Sequence, residues 1–183
     1  MWELKPPQPV KILIGILASD EQCLAAARAA LARQLGPADL LSDIWPFTDT
    51  TYYCDQTGPH ILRQFVSLEE PADPSVLADI KHQTNRIEQE LAATLGVTFP
   101  RPANLDPGLI EPSKLVLATT KNFAHRIYIG KKMYAEVTLV FDKGAWRPLP
   151  YTYPDYRQPS YGAFFSQVRE KLLRQLRSAT HEE

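Results

Sequence analysis

Residues 10–18 read VKILIGILA, and the eighteen residues that follow read SDEQCLAAARAALARQLG. The first stretch is almost continuously apolar and rich in β-branched residues, the pattern of a central strand buried on both faces. Ser19-Asp20 then offers a helix N-cap, with Gln22 three residues after Ser19 as a capping-box partner. Leu24, Ala27, Leu31 and Leu35 follow at helical spacing, and Gly36-Pro37 stops the helix. A buried strand feeding directly into an amphipathic helix is the start of a layered fold.

Working outward, Leu40 to Phe47 reads as a second strand interrupted by Pro46, and Thr48 to Pro59 as a long polar and aromatic connection. Ile61 to Leu68 (ILRQFVSL) reads as a third strand. Asp73-Pro74 places a cap before a proline at the first helical position. Leu77, Ile80, Thr84, Ile87, Leu91 and Leu95 then alternate steps of three and four until Gly96, the strongest helical pattern in the chain. Beyond Gly96, four prolines crowd Phe99 to Pro112, and Asp106-Pro107-Gly108 reads as a turn. Three extended segments follow, Lys114 to Thr120, His125 to Gly130 and Tyr134 to Phe141. In the last, Ala135, Val137, Leu139 and Phe141 alternate with Tyr134, Glu136, Thr138 and Val140. A turn at Asp142-Lys143-Gly144, a proline- and tyrosine-rich crossing from Arg147 to Pro159 and a final helix complete the chain.

The order strand–helix–strand–strand–helix–strand predicts an α+β fold, a ferredoxin-like βαββαβ sandwich extended by a C-terminal β-hairpin and helix. A doubly wound sheet is disfavoured because strands and helices stop alternating after Gly96. The expected organisation is a single domain over residues 1–183. An extended Pro-rich N-terminus covers 1–9, a ferredoxin-like core 10–106, and the hairpin and helix extension 107–183.

The 183 residues carry a formal net charge of −1. No global field therefore steers the molecule to nucleic acid or to an anionic membrane. The charge is unevenly spread, because seven basic residues between Lys114 and Arg147 face only Glu136 and Asp142, leaving that segment at +5. Such a segment suits an anionic small molecule better than a polynucleotide, and it equally suits a solvated hairpin edge protected by lysines. No stretch is long and apolar enough to span a bilayer, and no secretory leader is visible at Met1 to Pro9. Cys23 and Cys54 read as reduced thiols, so the expected compartment is the cytoplasm. A homo-oligomer is compatible with this composition.

Motifs with a fixed mechanism are absent. There is no GxxxxGK[ST], no GxSxG and no HExxH, and Gly15 has no glycine companions for a dinucleotide fingerprint. No set of residues has metal-ligand spacing, and the sequence implies no particular cofactor. Polar residues instead concentrate in the C-terminal half. Asn104 and Asp106 sit at the expected turn, where they serve that turn or hold substrate or a divalent cation. If Lys131-Lys132 is a two-residue turn, Ile127 opposes Glu136 and His125 opposes Thr138, which sets His125 and Glu136 diagonally on one face. A carboxylate beside an imidazole fixes its tautomer and tunes its acidity, so this pair is either an acid–base couple or a structural cross-strand contact. Lys121 and Arg126 are candidates to bind an anion, with Arg126 on the face opposite His125. Tyr134 joins the set, as does Asp155 within Pro150 to Arg157, a rigid segment that either walls a pocket or seals the sheet against the last helix.

Two readings of function follow. One is an enzyme acting on an anionic, nucleotide-like metabolite with His125 and Glu136 as the acid–base pair. The other is a non-catalytic binding or regulatory module associating through its sheet.

The string NLDPGLIEPSKLVLATTKNFAHRIYIGKKMYAEVTLVF at 104–141, with PLPYTYPDYR at 148–157, resembles the prokaryotic domain-of-unknown-function family 4416. VKILIGILASDE at 10–21 and PFTDTTYYC at 46–54 agree with it, so the resemblance covers almost the whole chain. Two departures stand out. Tyr151 occupies a position where the resemblance leads one to expect tryptophan, and Cys54 to Gly58 replaces a more acidic stretch. The resemblance implies no established activity.

Overall fold

The computed structural model describes residues 4–48 and 52–180. Parts of the Pro-rich N-terminus (1–3) and of the 48–59 connection (49–51) lie outside the described residues. The elements in chain order are β1 (Lys11–Ala18), α1 (Glu21–Leu35), β2 (Ala38–Leu41), β3 (Trp45–Pro46), α2 (Cys54–Thr57), β4 (Leu62–Leu68), α3 (Leu77–Thr94), β5 (Ala103–Ile110), β6 (Lys114–Thr119), β7 (Ile127–Gly130), β8 (Met133–Asp142), β9 (Ala145–Pro148) and α4 (Pro159–Thr180). Short 3₁₀ turns precede α3 (Pro74–Val76) and α4 (Asp155–Arg157). The chain is α+β, with one large antiparallel sheet ordered β2-β4-β1-β5-β6-β8-β7, β3 pairing with β4 and β9 with β8.

β1 is central, and all eight of its residues are buried. Ile12, Ile14 and Ile16 pack with Leu24 and Leu31 of α1, and with Ile87 and Leu91 of α3, on one side of the sheet. Leu13 belongs to the opposite layer with Phe65, Leu115, Leu117 and the α4 residues Tyr161, Phe165 and Val168. The two-sided apolar run of residues 10–18 is thus used as expected, with helices on both faces. A buried ion pair ties the α4 layer down. Lys11, with no exposed side-chain surface, donates to Asp39 Oδ2 at 2.5 Å and to the Glu69 carbonyl at 2.7 Å, and Lys171 of α4 reaches the same Asp39 oxygen at 3.2 Å.

The structure corrects several sequence expectations. Asp20, not Ser19, caps α1, its Oδ1 accepting from the Cys23 N–H at 2.7 Å, so Gln22 has no capping box to close. The second strand divides into β2 and β3, with Ser42 between them bonded to the backbone of Phe65. Asp106-Pro107-Gly108 is no turn but lies inside β5, fully paired to β1 with Gly15 opposite Asp106 and Leu13 opposite Gly108. Long antiparallel pairing with β1 outweighs the local turn preference of these residues.

The hairpin β7–β8 also departs from the simple register. Lys131 and Lys132 both adopt left-handed backbone (φ 51° and 62°), the geometry of a two-residue type I′ turn, and Gly130 does oppose Met133. A bulge then shifts the pairing by one residue, so Tyr128 opposes Tyr134 and Ile127 opposes Ala135, not Glu136. His125 precedes the strand, in a turn closed by the Arg126 N–H on the Phe123 carbonyl at 3.0 Å. A second irregularity lies between β6 and β8, where Leu115 faces Leu139 but Val116 faces Val137. As a result Ala135 and Val137 pack toward α1 and α3, whereas Leu139 joins the α4 layer.

Candidate functional site: a cleft where the sheet divides

β5 pairs with β1 along its whole length but with β6 only from Gly108 to Ile110. Antiparallel pairing alternates sides from residue to residue. The N–H and C=O of Leu105 are met by α3 side chains, so they point away from β1, and two residues on the same edge is Pro107, which has no N–H to offer. Pairing with β6 begins one residue later, at Gly108, where a Cβ would stand 2.5 Å from the Val116 carbonyl oxygen. Only glycine lets the strands close that far, and Pro107 ends the closure.

The gap thus opened is filled from α3. Glu88 Oε1 accepts from the Leu105 N–H at 2.7 Å, and Lys81 Nζ donates to the Leu105 carbonyl at 2.9 Å and to Asp106 Oδ1 at 3.3 Å. Arg101 holds the other oxygen of Glu88 through Nε (3.0 Å) and Nη2 (2.6 Å). These side chains stand where the next strand would have been, and beyond them lies a cleft of about 690 Å³. Burial pushes the Glu88 carboxyl up despite Lys81 and Arg101. Burial also acts to raise Asp106, but Lys81, Arg63 and the Asn104 amide, which donates to its Oδ2 at 2.5 Å, together hold it below its ordinary value.

The opposite wall comes from β8 and the crossing segment. Glu136, 2% exposed, lines the cleft. Its Oε2 is held by His125 Nε2 at 3.0 Å and Arg126 Nε at 2.9 Å, and its Oε1 accepts from Thr138 Oγ1 at 3.2 Å. Thr138 is the residue left over by the β6–β8 irregularity, and its own carbonyl accepts from Thr152 Oγ1 at 2.5 Å. His125 stacks on Tyr151 with ring centres 4.0 Å apart and planes 10° from parallel, and Arg126 also donates to Tyr153 Oη at 2.7 Å. The Tyr151 ring therefore has a definite place, stacked on the His125 imidazole.

Deep in the cleft, Arg63 of β4 donates to Asp155 Oδ2 at 2.8 Å, both side chains under a tenth exposed. Its guanidinium lies over the rings of Phe47, Phe65 and Tyr156 at 5.1, 5.2 and 5.7 Å. At the mouth, Lys121 Nζ donates to Tyr52 Oη at 3.0 Å and sits over that ring, which draws the Tyr52 phenol below its usual range.

Of the residues picked from the sequence, Asn104, Asp106, Lys121, Glu136 and Asp155 line this one cleft. His125 and Arg126 stand behind Glu136 and converge on the same oxygen, so Arg126 does not point away from His125 as the unbulged register predicts. Tyr134 lies outside the lining, edge-on to Tyr128 at 5.4 Å in the hairpin. The sequence reading missed Arg63, Lys81, Glu88, Arg101 and Tyr156. The signal was present, since Arg63 interrupts an otherwise buried strand and Lys81, Thr84 and Glu88 fall on the apolar stripe of α3. Among the described residues no cluster of three or more His, Cys, Asp or Glu is placed to hold a metal, and no helix is long and apolar enough to cross a membrane. Cys23 and Cys54 are both free thiols.

Fold and cleft define an α+β protein whose charged cleft lies where a single antiparallel sheet divides. Residues 8–172 match the family described as Domain of unknown function (DUF4416), and the chain belongs to that family. No curated protein and no solved structure matches the chain.

Proposed function

We propose that the protein is an enzyme acting on a small anionic, nucleotide-like metabolite bound in this cleft, with Glu136 and His125 as its acid–base couple. The observation that carries the reading is the placement of Glu136. Glu136 lines the cleft while His125 holds its carboxylate. A proton taken from a ligand by Glu136 has a neighbouring imidazole to pass to, and His125 is itself 18% exposed, closer to solvent than the carboxylate it serves. Arg126 and Thr138 fix the orientation of the carboxylate. Lys121 supplies the preference for an anion, because it is a cleft-lining cation with no carboxylate partner among the described residues.

The strand order β2-β4-β1-β5, with α1 and α3 as the crossovers, supports a ferredoxin-like reading of the first half, to which β6–β9 and α4 are added. The two free thiols support a reducing, cytoplasmic setting.

A thermal-shift screen of anionic metabolites on wild type, His125→Ala and Lys121→Ala tests this reading. A ligand at 100 times its Kd adds about 2.7 kcal/mol, which is about 5–11 °C at this chain length. The expected result is a shift that Lys121→Ala weakens, with the same ligand turned over by wild type and not by His125→Ala. Equal shifts in all three proteins would refute it. A second reading, a non-catalytic module that associates through its sheet, is favoured by the edge strand β7, where Ile127 and Tyr128 are 71% and 58% exposed beside Phe123 at 65%. A monodisperse monomer at high concentration would remove that alternative.

A further inference from the structure

Gly15 stands in the middle of β1, opposite both Phe65 of β4 and Asp106 of β5. A Cβ built on it would lie 2.8 Å from Arg63 Nη1, 3.1 Å from the Phe65 ring and 3.2 Å from Tyr156 Oη. A central strand residue without a side chain weakens the sheet, and its use here lets Arg63, Phe65 and Tyr156 pack against the β1 backbone in the room a Cβ would take. Two of these side chains are polar. Arg63 is 3% exposed and Tyr156 4%, and both line the cleft. Among the described residues Arg63 spends only Nη2, on Asp155, and its Nε and Nη1 have no hydrogen-bond partner. The Tyr156 hydroxyl has none either.

Buried donors without acceptors are costly, and one guanidinium and one phenol sharing such a cost beside a missing side chain is not explained by packing. Burial keeps the Tyr156 phenol protonated, so the pair presents hydrogen-bond donors. The aromatic rings around Arg63 exclude water, which strengthens the attraction for an anion there.

The geometry points to an oxyanion-binding floor of the cleft, formed by the unpartnered donors of Arg63 and Tyr156 where they pack against Gly15, which takes the carboxylate or phosphate group of the ligand. This rests on the cleft being a ligand site and names the group it grips at its deepest point. Lys121 lies at the mouth, so a ligand bridging the two would carry anionic character at both ends.

The test titrates wild type, Gly15→Ala, Tyr156→Phe and Lys121→Ala with inorganic phosphate and, separately, with acetate, following the unfolding midpoint. One of the two ions is expected to stabilise wild type, and which one does so tells phosphate from carboxylate. Tyr156→Phe removes only a hydroxyl that has no hydrogen-bond partner among the described residues, so without ligand it should unfold at the wild-type temperature or higher. Its apparent affinity for the ion should fall about tenfold or more, the usual loss for a hydrogen bond to a charged group. Gly15→Ala should abolish the ion's effect by pushing Arg63 Nη1 and Tyr156 Oη out of place. If Gly15→Ala and Tyr156→Phe respond as wild type does while Lys121→Ala does not, the anion binds at the mouth. The cleft reading then survives and the floor is refuted. If neither ion stabilises wild type, the floor is likewise refuted, and the organic metabolites of the earlier screen decide the cleft on their own.

Discussion

The backbone N–H of Leu105 donates to the Glu88 side chain at 2.7 Å, a bond that β6 would accept if the sheet were unbroken. A helix side chain here does the work of a strand. Removing it by Glu88→Ala leaves a buried N–H without an acceptor and Arg101 without its carboxylate. The expected cost is about 1–3 kcal/mol, read as a lower urea midpoint with unchanged slope. Amide exchange at Leu105 should accelerate relative to Leu109, which still pairs with Val116. An unchanged midpoint would mean that the α3 side chains do not support the divided edge.

Asp106 gives the cleft a pH signature. Its carboxyl is held below the ordinary value in the folded protein, with burial outweighed by Lys81, Arg63 and Asn104 acting together. A depressed carboxyl contributes stability above its unfolded pKa of about 3.9, and that contribution is lost as pH falls through the lower folded value. The stability difference between wild type and Asp106→Asn should therefore be constant above about pH 5 and shrink as pH drops below about 4. A difference that stays constant into the acid range would show that the carboxylate is not engaged as described.

Much of the architecture was readable along the chain because it is local. The two-sided apolar run at 10–18, the stripe from Leu77 to Leu91 and the Asp73 cap each depend on neighbours a few residues away. What could not be read was set by pairing across the sheet. Asp106-Pro107-Gly108 has turn chemistry, yet β1 pulls it into a strand, and its proline and glycine then define where the sheet opens and closes. The His125–Glu136 contact is found in the structure, but the route to it differs. The bulge before Gly130 moves Ile127 out of register, and His125 reaches Glu136 from a turn, not from a paired strand. A one-residue shift is invisible to alternation patterns, which is why Arg126 was expected on the wrong side. Arg63, Lys81 and Glu88 were legible as charges at buried positions, but not as members of one site, because β4 and α3, the two stretches that carry them, are brought to one cleft only by the fold.

The central claim is that the divided sheet forms a ligand site with Glu136 in its wall. The most direct measurement is backbone amide NMR of the intact protein during titration with the anionic metabolite that gives the largest thermal shift. The account predicts chemical-shift changes concentrated at Asn104 to Asp106, Leu117 to Lys121 and Glu136, and their loss in Lys121→Ala. Changes confined to the exposed edge at Phe123 to Tyr128, with residues 104–106 and 136 unmoved, would contradict it.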